Sequence, residues 1–222
     1  MTRGELRDKL ARSLDESTTS SFWTTAELDQ LLQEALETFC EIAEPLERHT
    51  YVPLRAGQVW YHLSRYADDI ILPLRLVDPI NERRLEALFL TQMDERKDQW
   101  ETTTGNSLVW TSAGYDWFAI WPHAASDGGM LRLDYVAWPQ DVLDDNVPLE
   151  VDEEDEDAIL QLARAAAQAW EWQDTVVAGQ AVATALITLR DATPKVVAGR
   201  GRAQRRLGFH SPRGRTLIGT GV

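Results

Sequence analysis

The chain has 222 residues and a mass of 25.1 kDa, enough for one large domain or two small ones with a buried core. Apolar residues make up 44% and charged residues 26%, an ordinary globular balance, but 36 acids stand against 22 bases and the net charge is −14. That sign excludes a protein that wraps nucleic acid over most of its surface, no run approaches the roughly 20 apolar residues of a bilayer span, and Cys40, the single cysteine, excludes an internal disulfide or a cysteine-built metal cluster.

The N-terminus, Met1 to Asp8, lacks the apolar core of a signal peptide. Thr2 to Leu14 places Leu6, Leu10 and Leu14 at i, i+4 and i+8 and predicts a short amphipathic helix. A polar Ser/Thr loop follows from Asp15 to Ser21. Thr24 with Glu27 is a capping-box signature and opens a second helix, predicted from Ala26 to Arg48. Leu28, Leu31, Leu32, Ala35, Phe39, Ile42, Ala43 and Leu46 form its buried stripe. Glu34, Glu37, Glu41 and Glu44 fall largely on the outer side. Such a rod would be roughly 35 Å long, with Pro45 disturbing its last turn.

From about Thr50 to Trp138 the pattern changes to short β-branched and aromatic runs. These are Tyr51-Val52, Val59 to Tyr61, Ile70 to Val77, Leu108 to Trp110, Trp117 to Trp121 and Met130 to Trp138. Asp127-Gly128-Gly129 reads as a hairpin loop between the last two runs, with further turns at Gly105-Asn106 and Ala113-Gly114. Thr91 and Asp94 suggest a brief helix through Gln99. The expected object is a small antiparallel sheet or sandwich.

After Trp138-Pro139 the acidic run Glu150 to Asp157 leads into a helix with Ile159, Leu162, Ala163, Ala166, Trp170 and Val177 along one side. A further helix is expected from Gln180 to Arg190, before Pro194. The fold class is therefore α+β: a helical bundle of N- and C-terminal helices, an inserted antiparallel β domain and an extended basic C-terminal arm. The expected boundaries are 1–49, 50–138, 139–193 and 194–222. No acid follows Asp191, whereas Lys195, Arg200, Arg202, Arg205, Arg206, Arg213 and Arg215 supply seven bases. The first 191 residues thus carry 15 bases against all 36 acids, a net −21.

Catalytic chemistry finds little support. The acids of residues 150–157 lack the spacing and the turn glycine of a calcium loop and sit where they offset a helix dipole. His49, His62, His123 and His210 show no paired spacing and read as surface or half-buried side chains; Cys40 reads as a small core residue. Nucleophile-elbow, Walker and dinucleotide patterns are absent, so neither an enzyme nor a cofactor is expected. All nine tryptophans lie between Trp23 and Trp172, and those of the β region serve either a core or subunit interface or a ligand platform such as a carbohydrate-binding module uses. Alternation in Trp117 to Trp121 leaves both faces apolar, which favours a strand covered on both sides. The basic segment, with Phe209 among its arginines, admits a nucleic-acid reading, but the acidic body opposes one. Guanidinium groups reaching an acidic protein surface fit better.

The order of Phe22 to Leu28 opening a long helix, Leu72-Pro73-Leu74, Arg84-Leu85-Glu86, Asp116 to Pro122, and Leu133 to Pro139 before an acidic Pro-Leu approach to a helix resembles the head-to-tail adaptor (connector) proteins of tailed bacteriophages. The likeness runs from about residue 2 to 190. It implies a structural virion protein of the neck or tail, assembled in the host cytoplasm, with no membrane contact. It also implies a homo-oligomeric ring of twelve subunits on the portal ring and a platform for a downstream tail or nozzle protein. Genomic DNA would pass through the channel without specific binding. On that resemblance Lys195, Arg200, Arg202, Arg205, Arg206, Phe209, Arg213 and Arg215 are the expected portal-binding arm.

Overall fold

Thr2 caps α1 (Arg3–Ser13): its hydroxyl accepts from the Glu5 amide at 3.3 Å, and the Glu5 carboxylate accepts from the Thr2 amide at 2.9 Å. Thr24 and Glu27 repeat this exchange at 3.3 and 2.8 Å at the start of α2 (Thr25–Ala43). Each pair satisfies N–H groups that a helix start leaves without intrahelical partners. The computed structural model describes residues 1–14, 22–114, 116–141 and 144–172, with positions 183, 184 and 187. The chain divides into two compact units. Among the described residues one comprises Met1–Leu46 and those from Trp138 on, the other Glu47–Ala137.

In the first unit α1, α2 and α4 (Glu156–Trp172) pack against one another. Leu6 and Leu10 of α1, Leu28, Leu31, Leu32, Ala35, Leu36, Phe39 and Ala43 of α2, and Ile159, Leu162, Ala163 and Ala167 of α4 are buried. Cys40 is a buried free thiol. Helix α2 is shorter than expected, about 29 Å for its 19 residues, because a residue before proline is driven out of the α region. Glu44, preceding Pro45, adopts φ 51° and ψ 44°, and it is buried rather than on the outer side. The expected last turn is instead the start of a strand. Trp170 is a second departure: its ring centroid lies 6.4 Å from that of Trp23, yet the residue is 58% exposed. Val177 and most of the expected helix from Gln180 to Arg190 lie outside the described residues; positions 183, 184 and 187 are helical.

The second unit holds β1 (Glu47–Pro53), β2 (Trp60–His62), β3 (Ile70–Asp78), β4 (Arg83–Arg84), β5 (Glu86–Ala87), β6 (Val109–Ala113), β7 (Trp117–Trp121) and β8 (Met130–Ala137), with α3 (Leu90–Arg96) between β5 and β6. They form two four-stranded sheets ordered β1-β8-β3-β4 and β2-β7-β6-β5. Pairing is antiparallel except between β5 and β6, a short parallel contact the sequence reading did not foresee.

The loop at Asp127-Gly128-Gly129 is not a hairpin, since β7 and β8 belong to different sheets. Pro122, which follows β7 directly, has no N–H to extend that ladder. The loop is held from the other sheet: Gly129 accepts from the Leu54 amide at 2.8 Å, and the Asp127 carboxylate accepts from the Ala56 amide at 2.7 Å. The tight hairpin is the one at Gly114, φ 64°, which joins β6 and β7 with Ala113 opposite Trp117.

The two sheets differ in their cover. On the second, Tyr61, Phe118, Ile120 and Trp110 are buried on one face. Val109 and Ala119 on the other face cluster with Met93 of α3 and with Trp100. Helix α3 starts at Phe89, whose amide donates to the Gln92 side chain, so Thr91 is not its cap. On the first sheet Val52, Leu76, Leu131 and Leu133 are buried on one face; the opposite face is closed at Val136 and Leu72 and open around Tyr51, Met130, Arg132 and Arg75.

Candidate functional site

The residues expected to form a portal-binding arm, Lys195, Arg200, Arg202, Arg205, Arg206, Phe209, Arg213 and Arg215, all lie outside the described residues. His210 does too. What the structure places are the surfaces of the two units.

Charge is divided unevenly between them. Residues 1–46 and 138–191 hold 23 acids against 6 bases, a net −17, whereas residues 47–137 hold 13 acids against 9 bases, a net −4. In the helical unit the bases of α1 are already engaged. Arg7 donates to Asp29 at 3.0 Å and to Asp145 at 2.5 Å, and Arg3 reaches Asp145 at 2.7 Å. Lys9 pairs with Glu156. The two guanidinium groups hold the Asp145 carboxyl down to about 2, and the carboxylates in turn raise Arg7 above its usual range. A depression beside α1 is lined by Met1, Glu5, Asp8, Lys9, Arg12, Glu153 and Glu156, a mainly polar surface. The acidic turn Glu153–Asp155 and the first turn of α4 sit at a helix start, and there burial together with Asp152 and Glu154 pushes the Asp155 carboxyl up. Along the outer side of α2, Glu34 accepts from the Gln30 amide at 2.9 Å and Glu37 from the Gln33 amide at 3.0 Å. Neither meets a cation among the described residues.

Trp23, Trp100 and Trp110 are core, Trp60, Trp121 and Trp138 are half-buried, and Trp117 and Trp170 are exposed. Trp110 is only 1% exposed, and Trp100 is buried with its Nε1 donating to Asp94 at 2.8 Å. Trp60 is half-buried and donates to Glu101 at 2.8 Å. Trp117, at one end of β7, is partly exposed and stands edge-on to His62, whose Nδ1 is hydrogen-bonded to Ser64 at 2.7 Å. That is a local contact two residues apart at the end of β2. His123 is buried, contrary to the surface or half-buried position expected of it. Trp100 and Trp110 are thus turned inward, Trp60 is tied to a carboxylate, and Trp117 keeps an exposed face.

The open face of the first sheet is what the sequence reading missed. It carries Arg75, Arg132 and Arg84, with Tyr51 and Met130 exposed beside them. Arg75 and Arg132 both bond to Asp134. The period-two alternation Met130-Leu131-Arg132-Leu133-Asp134-Tyr135 was the available signal, since an antiparallel strand with one wet face reads this way. On the covered side Tyr135 donates to Asp69 at 2.9 Å, and its hydroxyl is pushed up to about 12 by burial and by that carboxylate.

A family model described as SU10 adaptor protein matches residues 1–212. The chain belongs to the SU10 adaptor protein family. It is a phage structural adaptor, and the resemblance carried by the Phe22 to Leu28, Asp116 to Pro122 and Leu133 to Pro139 segments holds. Among curated proteins none matches it. The family match takes in both units and the C-terminal segment as far as Pro212. Among the described residues no helix is long and apolar enough to cross a membrane, and no group of three His, Cys, Asp or Glu side chains is placed to hold a metal ion.

Proposed function

We propose that this adaptor forms a ring between the phage portal and the tail, extends the DNA channel and offers a platform to a downstream tail or nozzle protein. The observation that carries the reading is the family match over residues 1–212. The charge layout supports it. A net charge of −17 over residues 1–46 and 138–191 suits a channel wall that DNA passes without adhering, because like charge denies it contacts that release counterions. The segment after Asp191, with seven bases and no acids, suits docking to carboxylates of the portal through Lys195, Arg200, Arg202, Arg205, Arg206, Arg213 and Arg215, with Phe209 as an apolar anchor. The β unit then serves lateral or tail-facing contacts. Twelve subunits is the count the resemblance implies.

Light scattering of the full chain and of a version ending at Thr193, each mixed with the portal ring, tests this. The expected result is a portal complex that gains a full ring of the complete chain and few or no copies of the shortened one. Equal binding by both moves the anchor into the helices. Binding by neither contradicts the portal-ring role.

A further inference from the structure

Strand register aligns side chains in rows across the open face of the first sheet. Tyr51 of β1, Arg132 of β8, Val77 of β3 and Arg84 of β4 stand in one row; His49, Asp134 and Arg75 stand in the next. Residues directly opposite in antiparallel pairs project to the same face. Asp134 is the only carboxylate in these two rows, and its side chain is 10% exposed, while those of Arg75 and Arg132 remain 46% and 36% exposed. Arg132 Nε lies 2.8 Å from Asp134 Oδ1, and its Nη2 donates to Oδ2 at 3.3 Å; Arg75 Nε donates to the same Oδ2. Two guanidinium groups on one carboxylate leave a positive charge uncompensated and several N–H donors directed elsewhere. Arg84 makes no ion pair among the described residues. Arginine and tyrosine on a partly desolvated surface match the composition of protein interfaces.

The complementary surface is on the same chain. Gln30, Glu34, Glu37 and Glu41 follow one another at i, i+4, i+7 and i+11 along α2, and Glu34 and Glu37 have only glutamine amides as partners. We infer that the arginine face of the first sheet receives the carboxylates of α2 from a second copy of the chain. The two patches differ, so the contact is heterologous, and a heterologous contact whose rotation closes makes a ring. The inference thereby deepens the ring reading and rests on it. A nucleic acid is the weaker occupant, because Asp134 and Glu47 share the face and the whole chain carries −14.

Sedimentation velocity of the full chain, at rising concentration and in low and high salt, tests the contact. Two variants each damage one patch: Arg84→Glu, which leaves the Asp134 network intact, and the double change Glu34→Lys with Glu37→Lys. Each alone is expected to weaken self-association at least tenfold, with circular dichroism unchanged. An equimolar mixture of the two is expected to recover dimers, because one intact face still meets one intact helix. Tyr51→Ala, an uncharged change on the same face, is expected to weaken association in the same direction. Variants that associate like the unmodified chain, a mixture that stays monomeric, or an unmodified chain still monomeric at about 1 mM overturn the inference. Loss of binding to a labelled DNA duplex in Arg84→Glu with self-association untouched overturns it in favour of a polyanion site. Portal loading measured in parallel separates the two readings. Full loading by an Arg84→Glu chain with undiminished self-association removes this contact and keeps the ring, whereas an unmodified chain that neither loads nor associates removes both.

Discussion

In the helical unit Arg3, Arg7 and Lys9 are drawn onto Asp29, Asp145 and Glu156, so these bases of α1 hold elements together, while Glu34 and Glu37 on α2 meet only glutamine amides. The β unit is also net acidic, but on one of its sheet faces the balance is reversed: Arg75, Arg84 and Arg132 stand there with a single buried carboxylate between two of them. The cores differ in the same way. Aliphatic side chains and alanines fill the helical unit, whereas Trp110, Tyr61, Phe118 and Trp100 dominate the second sheet. The helical unit is held by many small contacts with charged pins at its surface. The β unit is held by a few large rings. For an adaptor the contrast locates the interaction chemistry where charge is not compensated internally, on the outer side of α2 and on the arginine face.

The largest expected effect lies on the aromatic side. Trp110→Ala removes the largest fully buried side chain and is expected to destabilise the β unit by about 3–5 kcal/mol, read as a lowered urea midpoint. A cost near zero would mean that the rings are not what holds this unit. In the helical unit Thr24→Ala removes one cap and is expected to cost about 1 kcal/mol in the same measurement. An unchanged midpoint would assign the start of α2 to packing alone.

Asp145 gives the comparison a pH axis. Its carboxyl is held at about 2 in the folded chain against an ordinary 3.8, so its contribution is fully present above the ordinary value and is lost as pH falls through the folded one. Melting temperature is therefore expected to fall between those limits, and Asp145→Asn is expected to lower it at neutral pH while flattening that part of the profile. An identical acid profile in the variant would show that the Arg3 and Arg7 contacts are not coupled to folding. The smallest effect belongs to Glu34→Gln, which is expected to leave stability within about 0.5 kcal/mol because the side chain meets only an amide. A larger loss would mean that this carboxylate supports the fold of its own chain.

Much of the fold was legible where a single local rule governs. The capping box at Thr24 and the leucine stripe behind it place α2, and the β-branched and aromatic runs place β3, β7 and β8 almost residue for residue, but only the start of β6. The same signature at Thr2 and Glu5 lay in plain view and marks the start of α1 equally well. What failed was non-local or decided by a competing residue. The end of α2 was placed too late because Pro45 acts on the residue before it rather than on the periodicity. The loop at Gly128 has hairpin composition, yet its strands part into two sheets, and only the distant partners Leu54 and Ala56 reveal it. The arginine face was legible only in part: alternation in β8 marks a wet side, but Arg75, Arg84 and Arg132 are separated in sequence, and register alone brings them into adjacent rows.

The most direct test of the adaptor's place is cross-linking mass spectrometry on intact virions that carry this chain. The account predicts cross-links from the C-terminal segment, at Lys195, to the portal protein, and from the β unit, at Lys97, to a neighbouring copy or a tail protein. A chain absent from the virion, or cross-linked only to capsid or tail-tip proteins, would contradict it.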